Sequence, residues 1–288
     1  MTIAIAGATG HLGRLAVTHL IDRGVSPADI VAGGRNRDAL GSLRASGVTA
    51  RHFDFDDAST LDPFVDGIDT LVLISSSAVG QRARQHGAVL DAARRAGVGH
   101  VVYTSAPRAT TSSLVLAPEH KVTEELIHDL GIPFTVLRNN WYNENYEQAL
   151  SQAATNGVYL ASTGAGRTAS ASRSDYAEAI AAVVTTGDHL QQTYELAGDT
   201  AWDGDEFAAA ASSALGRKVE FRSVDSEEHA AILTAAGLDP DLVGFLVRLD
   251  ADIAAGLLDG PSPVLSDLIG HPTTTIEQSS RQMAAHRD

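Results

Sequence analysis

Two short stretches of the sequence concentrate residues able to do chemistry, and a third holds a rare side chain. Residues 7–13, GATGHLG, set Gly7, Gly10 and Gly13 three positions apart within and after the apolar run TIAIAG. Glycines at that spacing permit a tight turn, leave the backbone bare enough for an anion to approach, and aim the first N–H groups of a following helix at it. Thr9 and His11 lie in the same turn and offer side-chain donors, and Leu12 follows them into the helix. Residues 137–146, LRNNWYNENY, place one tryptophan, two tyrosines and four asparagines in ten positions of a chain that is only 5% aromatic. Ring faces stack on planar ligands, and amides donate to an oxygen on which negative charge develops. The third stretch, PEHKVTEELI, carries Lys121, one of two lysines against 19 arginines.

Such residues need elements to position them. Apolar runs of strand length recur at 2–7, 30–34, 48–54, 70–75, 100–105 and 134–139, with helix-length segments between them. Several are apolar nearly throughout, as expected of strands covered by helices on both faces. The expected class is therefore α/β, a Rossmann-type doubly wound parallel sheet. Leu12, Leu15, Ala16, His19 and Leu20 fall at helical spacing between the first two strands, and Gly24 stands where a helix-terminating glycine belongs. After residue 150 the order changes to a Gly/Ser/Thr-rich loop, a helix at about 175–184, the strand TYELAG, the run KVEFRSV and several alanine-rich helices.

A glycine triplet alone is a weak signal. Standing between the first strand and the first helix of a βαβ unit, it points to dinucleotide binding, with the pyrophosphate on the helix N-terminus. The second strand ends GGRNRD, and Arg35 lies 22 residues after Gly13. An arginine there suits a ribose 2′-phosphate where an acidic residue would suit the hydroxyl, so NADPH is favoured with NADH still possible. Asp54 and Phe55 end the third strand on the expected adenine side. Ser75, Ser76 and Ser77 end the fourth, either lining the cofactor's path or capping a helix. The expected division is 1–150 as an NAD(P)-binding domain and 151–288 as mainly a smaller α+β substrate-side domain, with 193–198 a candidate to rejoin the main sheet.

Composition excludes several other functions. Acidic residues outnumber basic ones by 36 to 21, giving a net charge of −15, which repels nucleic acid. The chain has no cysteine, and its 11 histidines are scattered without ligand spacing, so no metal site is expected. No apolar run approaches the about 18 residues of a membrane span. The N-terminus enters a strand directly without the regions of a signal peptide, so a cytoplasmic location is expected. Oligomeric state is not legible.

Many short-chain dehydrogenases pair a tyrosine with a lysine four residues later to move a proton. Ala117 stands four residues before Lys121, and no tyrosine here has a lysine at that spacing. Lys121 is left either as an auxiliary donor or as a partner of Glu125 along a helix face.

The motifs GATGHLG, GGRN, LVLISSSAVGQRARQH, VVYTS, LRNNWYNENY, YELAGDTAW and LIGHPTTT together resemble the flavin-free NAD(P)H:quinone oxidoreductases of the NmrA-like, atypical short-chain dehydrogenase/reductase branch. The resemblance runs from residue 1 to about residue 280 and is most specific at 71–87, 137–146 and 267–275. It implies a Rossmann domain with a small C-terminal domain, NADPH in an extended groove, no flavin, and a quinone between the domains. It also implies that Gly7, Thr9, Gly10, His11, Leu12 and Arg35 hold the cofactor. Asn145 belongs, on the same resemblance, to the active centre. Glutamine is common in the relatives at the position of His11. NmrA-like relatives also include NADP-sensing regulators, so the branch does not by itself imply turnover.

On the residues themselves, Trp141, Tyr142 or Tyr146 can supply stacking faces for nicotinamide or a quinone. The amides of Asn139, Asn140, Asn143 and Asn145 can orient the carboxamide or meet a quinone oxygen. Not all seven can point inward. The favoured expectation is an oxidoreductase passing the NADPH hydride directly to a quinone, with Asn145 stabilising charge and Lys121 as auxiliary. The alternatives are an NADP(H) sensor without turnover and a reductase of another planar substrate.

Overall fold

The computed structural model of the chain describes residues 1–286. The elements run β1 (Ile3–Ala6), α1 (His11–Asp22), β2 (Ile30–Gly34), α2 (Arg37–Ala45), β3 (Thr49–His52), α3 (Leu61–Val65), β4 (Thr70–Leu73), α4 (Arg82–Ala96), β5 (His100–Ser105), α5 (Ala117–Asp129) and β6 (Phe134–Asn139). They continue with α6 (Glu147–Asn156), β7 (Val158–Ala161), α7 (Arg173–Thr185), β8 (Gln192–Leu196), α8 (Gly204–Leu215), β9 (Glu220–Ser223), α9 (Ser226–Ala235), α10 (Pro240–Ala254), α11 (Val264–Ile269) and α12 (Ile276–Ala285).

Seven strands form one sheet in the order β3-β2-β1-β4-β5-β6-β8, and every neighbouring pair is parallel. Strand order reverses between β1 and β4, which makes the carboxyl ends of those two strands the switch point where doubly wound sheets take ligands. β1, β2 and β4 are buried at every position, because helices cover both faces. That burial explains their unbroken apolar sequences. One face of the sheet, with Leu71, Leu73, Tyr103 and Val136, packs with Phe53, with Phe64 of α3 and with the inner sides of α4 and α5.

The described chain divides into two compact units that interleave along the sequence. The first comprises Met1–Thr110, Leu116–Asn139 and Arg173–Leu196; the second comprises Thr111–Val115, Asn140–Ser172 and the described residues from Ala197 onward. Against the expected cut at residue 150, the chain passes from one unit to the other at Asn139/Asn140 and returns for α7 and β8. The return has a plain cause. β8 pairs with β6 from Thr135↔Gln192 to Asn139↔Leu196, supplying hydrogen bonds that β6 would otherwise lack on that side. α7 packs on α1, where His19 Nε2 meets Ser174 Oγ at 2.9 Å and Arg23 pairs with Glu178 at 3.2 Å.

In the second unit β7 and β9 make a small parallel sheet. Its core is aromatic, with Tyr146, Tyr159, Trp202 and Phe207 in mutual edge or tilted contact.

Candidate active site

The glycine turn is built from backbone. Gly7 has φ +87°, a left-handed conformation that side chains disfavour. The Gly10 N–H closes the turn on the Gly7 carbonyl at 3.0 Å, and the Ala8 N–H reaches the Gly33 carbonyl of β2 at 2.8 Å. At Gly13 an added Cβ would lie 2.2 Å from the Gly7 oxygen and 2.6 Å from Ala8 Cα, so only glycine lets α1 start this close to β1. A Cβ at Gly34 would strike the Thr9 side chain at 2.4 Å.

Helix α1 opens at Gly10 with no side-chain cap and no acidic residue in its first turn, and Gly10 and His11 are exposed. Uncapped N–H groups at an exposed, carboxylate-free helix start form a cradle suited to an anion, so the turn fits a pyrophosphate. Thr9 is half-buried, and its carbonyl accepts from the Arg14 guanidinium at 2.7 Å; Leu12 and Gly13 are buried.

Arg35 leaves the end of β2 with 70% of its side chain exposed, and its Nη1 lies 4.0 Å from Asp54 Oδ1. A contact that long and exposed holds the guanidinium weakly, so it can turn to a phosphate. Asn36 caps α2 by accepting from the Ala39 N–H at 3.0 Å. Asp54 accepts from the Asp56 N–H at 3.0 Å, and Phe55 packs its ring against Phe53 at 4.7 Å.

The serines after β4 are held unevenly. Ser75 N–H donates to Thr104 Oγ1 at 3.0 Å, and Ser77 is exposed. Ser76 is gripped at three atoms by α4. Its N–H donates to His86 Nε2 at 3.1 Å, its hydroxyl donates to Gln85 Oε1 at 2.6 Å, and its carbonyl accepts from Arg82 Nε at 2.6 Å. Gln85 Nε2 also donates to both Asp56 carboxylate oxygens at 3.0 Å. One amide thus ties the loop after β3 to the loop after β4. That hydrogen bond, with one from Arg84, holds the Asp56 carboxyl below its usual range.

Burial, reinforced by the nearby Arg82 charge, pushes the His86 imidazole down to about 3. Since Nε2 accepts from Ser76, the neutral ring carries its proton on Nδ1 and donates to Thr123 Oγ1 at 3.0 Å. These α4 side chains lie in the LVLISSSAVGQRARQH segment, yet sequence reasoning assigned no role to Arg82, Gln85 or His86. The signal was their fall at inward helical positions among apolar residues.

Lys121 lies on the outer face of α5, 49% exposed, with Nζ 3.9 Å from Glu125. The buried face of the same helix carries Ala117, His120, Thr123, Glu124 and Ile127. Glu124 accepts from Ser105 Oγ at 2.5 Å and pairs with Arg138 at 2.6 Å; Arg138 also meets Glu195 at 2.8 Å.

Most of the amide-rich segment, from Asn140 onward, is committed to the second unit. Asn140 donates its amide to the Leu258 carbonyl at 3.2 Å and accepts from the Trp141 N–H at 2.8 Å. Asn143, fully buried, donates to the Thr274 carbonyl and to Ser279 Oγ, both at 2.9 Å, and accepts from Ser170 Oγ at 2.5 Å. Tyr146 sits in the aromatic core with its ring 4.6 Å from Trp202. Asn139 is buried at the end of β6, Trp141 and Tyr142 are half-buried, and Asn145 is exposed. Through Asn143 and Thr274, the segment 137–146 is fastened to the LIGHPTTT segment, whose Thr273 exchanges hydrogen bonds with Asp199 at 2.8 and 2.9 Å.

Among the described residues no cluster of three or more His, Cys, Asp or Glu side chains is placed to hold a metal ion, and no helix is long and apolar enough to cross a membrane.

A parallel sheet reversed beside an uncapped glycine turn is the architecture of a dinucleotide-binding protein. The chain belongs to the NmrA-like family, whose model matches residues 1–243. It is 43% identical to Escherichia coli quinone oxidoreductase 2 over 277 residues, covering 96% of each chain. A crystal structure of the Escherichia coli NADPH-dependent quinone oxidoreductase complexed with NADPH superposes with a TM-score of 0.93 at 42% identity, over 98% of this chain and 99% of that one. Citrobacter triphenylmethane reductase complexed with NADP(H) matches with a TM-score of 0.92 at 32% identity, over 98% and 100% of the two chains.

Proposed function

We propose that this chain is an NADPH-dependent reductase that passes a hydride directly to a quinone. The observation that carries the reading is the end-to-end likeness to the Escherichia coli quinone oxidoreductase, through both compact units and the glycine turn alike. When bound, the nicotinamide supplies the hydride; everything else falls to the chain's own residues.

Gly7, Gly10 and Gly13 bring bare backbone and helix N–H groups to the pyrophosphate, with Thr9, His11 and Leu12 bordering it. Arg35 meets the 2′-phosphate, Asp54 and Phe55 border the adenine, and Ser75, Ser76 and Ser77 border the path towards the nicotinamide. Trp141 and Tyr142 offer ring faces to the acceptor, while Asn139 and Asn145 offer amides. Direct transfer to a conjugated acceptor delocalises the developing charge, so positioning within about 3–3.5 Å dominates and a strong general acid is not needed. Lys121, on the outer face of α5, is left out of this assignment.

The test is NADPH oxidation by the purified protein with and without a benzoquinone; oxidation that no quinone accelerates, in protein that binds NADPH, favours the sensor. Replacing Asn145 with Ala should lower kcat about tenfold with little change in NADPH affinity, and an unchanged kcat removes it from the site. The likeness to a triphenylmethane reductase supports a second reading, a larger planar dye as acceptor. A kcat/KM higher for a triphenylmethane dye than for benzoquinone would favour it.

A further inference from the structure

Lys121 faces outward, but the residue before it does not. His120 is 4% exposed on the inner face of α5, and its Nδ1 lies 2.7 Å from the phenolic oxygen of Tyr103, which is fully buried on β5. Burial raises the Tyr103 phenol, so it keeps its proton, and burial, followed by the nearby Arg82 charge, pushes His120 down to about 3, so the ring is neutral near pH 7. A phenol that donates to Nδ1 leaves the single ring N–H on Nε2. Among the described residues Nε2 has no hydrogen-bond partner. In that tautomer a nearly buried imidazole has one N–H left to offer.

The fold places this donor. β5 and β6 are parallel and α5 is the crossover between them, so α5 runs back from the carboxyl edge of the sheet towards the start of β6. Glu124, one turn further along α5, already meets Ser105, the last residue of β5, and Arg138, the last but one of β6. The turn bearing His120 therefore lies at the carboxyl edge, where doubly wound sheets bind ligands. Ring contacts link it to the loop after β4: the Tyr103 ring lies 5.9 Å from His120 and 5.5 Å from His86, and His86 grips Ser76.

We propose that His120 is a catalytic residue of quinone reduction, its Nε2–H donating a hydrogen bond to the acceptor's carbonyl oxygen as that oxygen gains negative charge. The inference rests on the quinone-reductase reading above. In the balanced step the acceptor gains the hydride and its two electrons, NADPH becomes NADP⁺, and the proton completing the hydroquinone comes from water. His120 keeps its own proton and acts only as an electrostatic stabiliser, a role that a neutral imidazole fills. Tyr103 is a positioning residue that fixes the tautomer.

The experiment compares His120→Leu and His120→Gln with the wild type for quinone turnover, NADPH affinity by fluorescence titration, and thermal unfolding. His120→Leu should lower kcat by on the order of 10²–10³-fold, the usual loss for one oxyanion donor, with NADPH affinity within about twofold. His120→Gln, whose amide can accept from Tyr103 and donate onward, should recover about tenfold of that loss, a rescue that a merely structural histidine would not show. Folded His120→Leu protein with wild-type kcat overturns the proposal. Nitrogen NMR of the wild-type ring gives a readout without turnover. Nε2 should be protonated and Nδ1 bare at neutral pH, and the Nε2 signal should move when benzoquinone is added to the NADP⁺ complex. A protonated Nδ1 or an unmoved Nε2 overturns the proposal even if His120→Leu fails to fold. Wild-type protein that binds NADPH yet oxidises none with benzoquinone sinks the quinone reading itself, while the ring tautomer still reports on the Tyr103 contact.

Discussion

The glycine turn at 7–13 and the segment at 137–146 are both rich in chemistry-bearing residues, yet the fold uses them in opposite ways. In the turn, function is presented by backbone. Side chains are absent where a Cβ would collide, and the exposed helix start keeps its N–H groups uncapped. In the amide-rich segment, Asn140, Asn143 and Tyr146 are spent on the interior of the second unit. Residue types that suit a ligand also suit a buried hydrogen-bonded frame, because both demand flat surfaces and paired amides. Only partners distinguish the two uses.

The sharpest way to break this contrast is at Gly13. Gly13→Ala forces a Cβ against the Gly7 carbonyl, and should cost about 3 kcal/mol of stability together with at least about tenfold in NADPH affinity. A melting temperature and affinity equal to wild type would mean that α1 can retreat from β1 without loss.

Asn143→Ala should act on the frame alone. It takes one hydrogen-bond partner each from the Thr274 carbonyl and the Ser170 and Ser279 hydroxyls, costing about 2 kcal/mol in denaturant unfolding while NADPH affinity is unchanged. Weakened cofactor binding without destabilisation would move Asn143 from frame to site.

The buried histidines give a pH dependence. His86 and His120 are held near 3 in the fold against about 6.5 in an unfolded chain, so below about pH 6.5 the unfolded state takes up protons that the folded state does not. Their contribution is whole above about pH 6.5 and is lost as pH falls towards 3, with each histidine adding a slope approaching about 1.4 kcal/mol per pH unit. His86→Gln should flatten unfolding free energy against pH between about 6.5 and 5 by one such slope. An identical slope in the variant would show that this ring is not kept neutral.

The smallest effect is expected at the exposed end of β2. Arg35→Glu should shift the NADPH-to-NADH ratio of kcat/KM by about tenfold towards NADH without changing stability, and an unaltered ratio would free Arg35 from the 2′-phosphate.

How much was legible follows from the same contrast. β2, β5 and β6 lie where their apolar runs stand, and Gly24, at φ +88°, follows the end of α1 as its position implied. Such signals are local: burial on both faces and a left-handed residue each write themselves into a few adjacent letters. Of the return of 173–196, the helix at about 175–184 and the strand at 193–198 are legible, the strand as a candidate to rejoin the main sheet, but nothing local says which edge a strand will join. On α5, Lys121 drew attention by its rarity, whereas spacing through 117, 120, 123, 124 and 127 marks the buried face once polar residues are admitted to a core. Reading that face as apolar or nothing is what hid His120 and Glu124.

By itself the sequence determined the parallel sheet, the glycine turn and the arginine after β2, because backbone sterics and two-sided burial act over short spans of chain. The tertiary structure alone decided which polar side chains became partners of one another and which kept a donor to offer. Hydrogen bonds such as those of Asn143 with Ser279, or of Tyr103 with His120, join residues far apart in the chain, and no local pattern records the distance that closes between them.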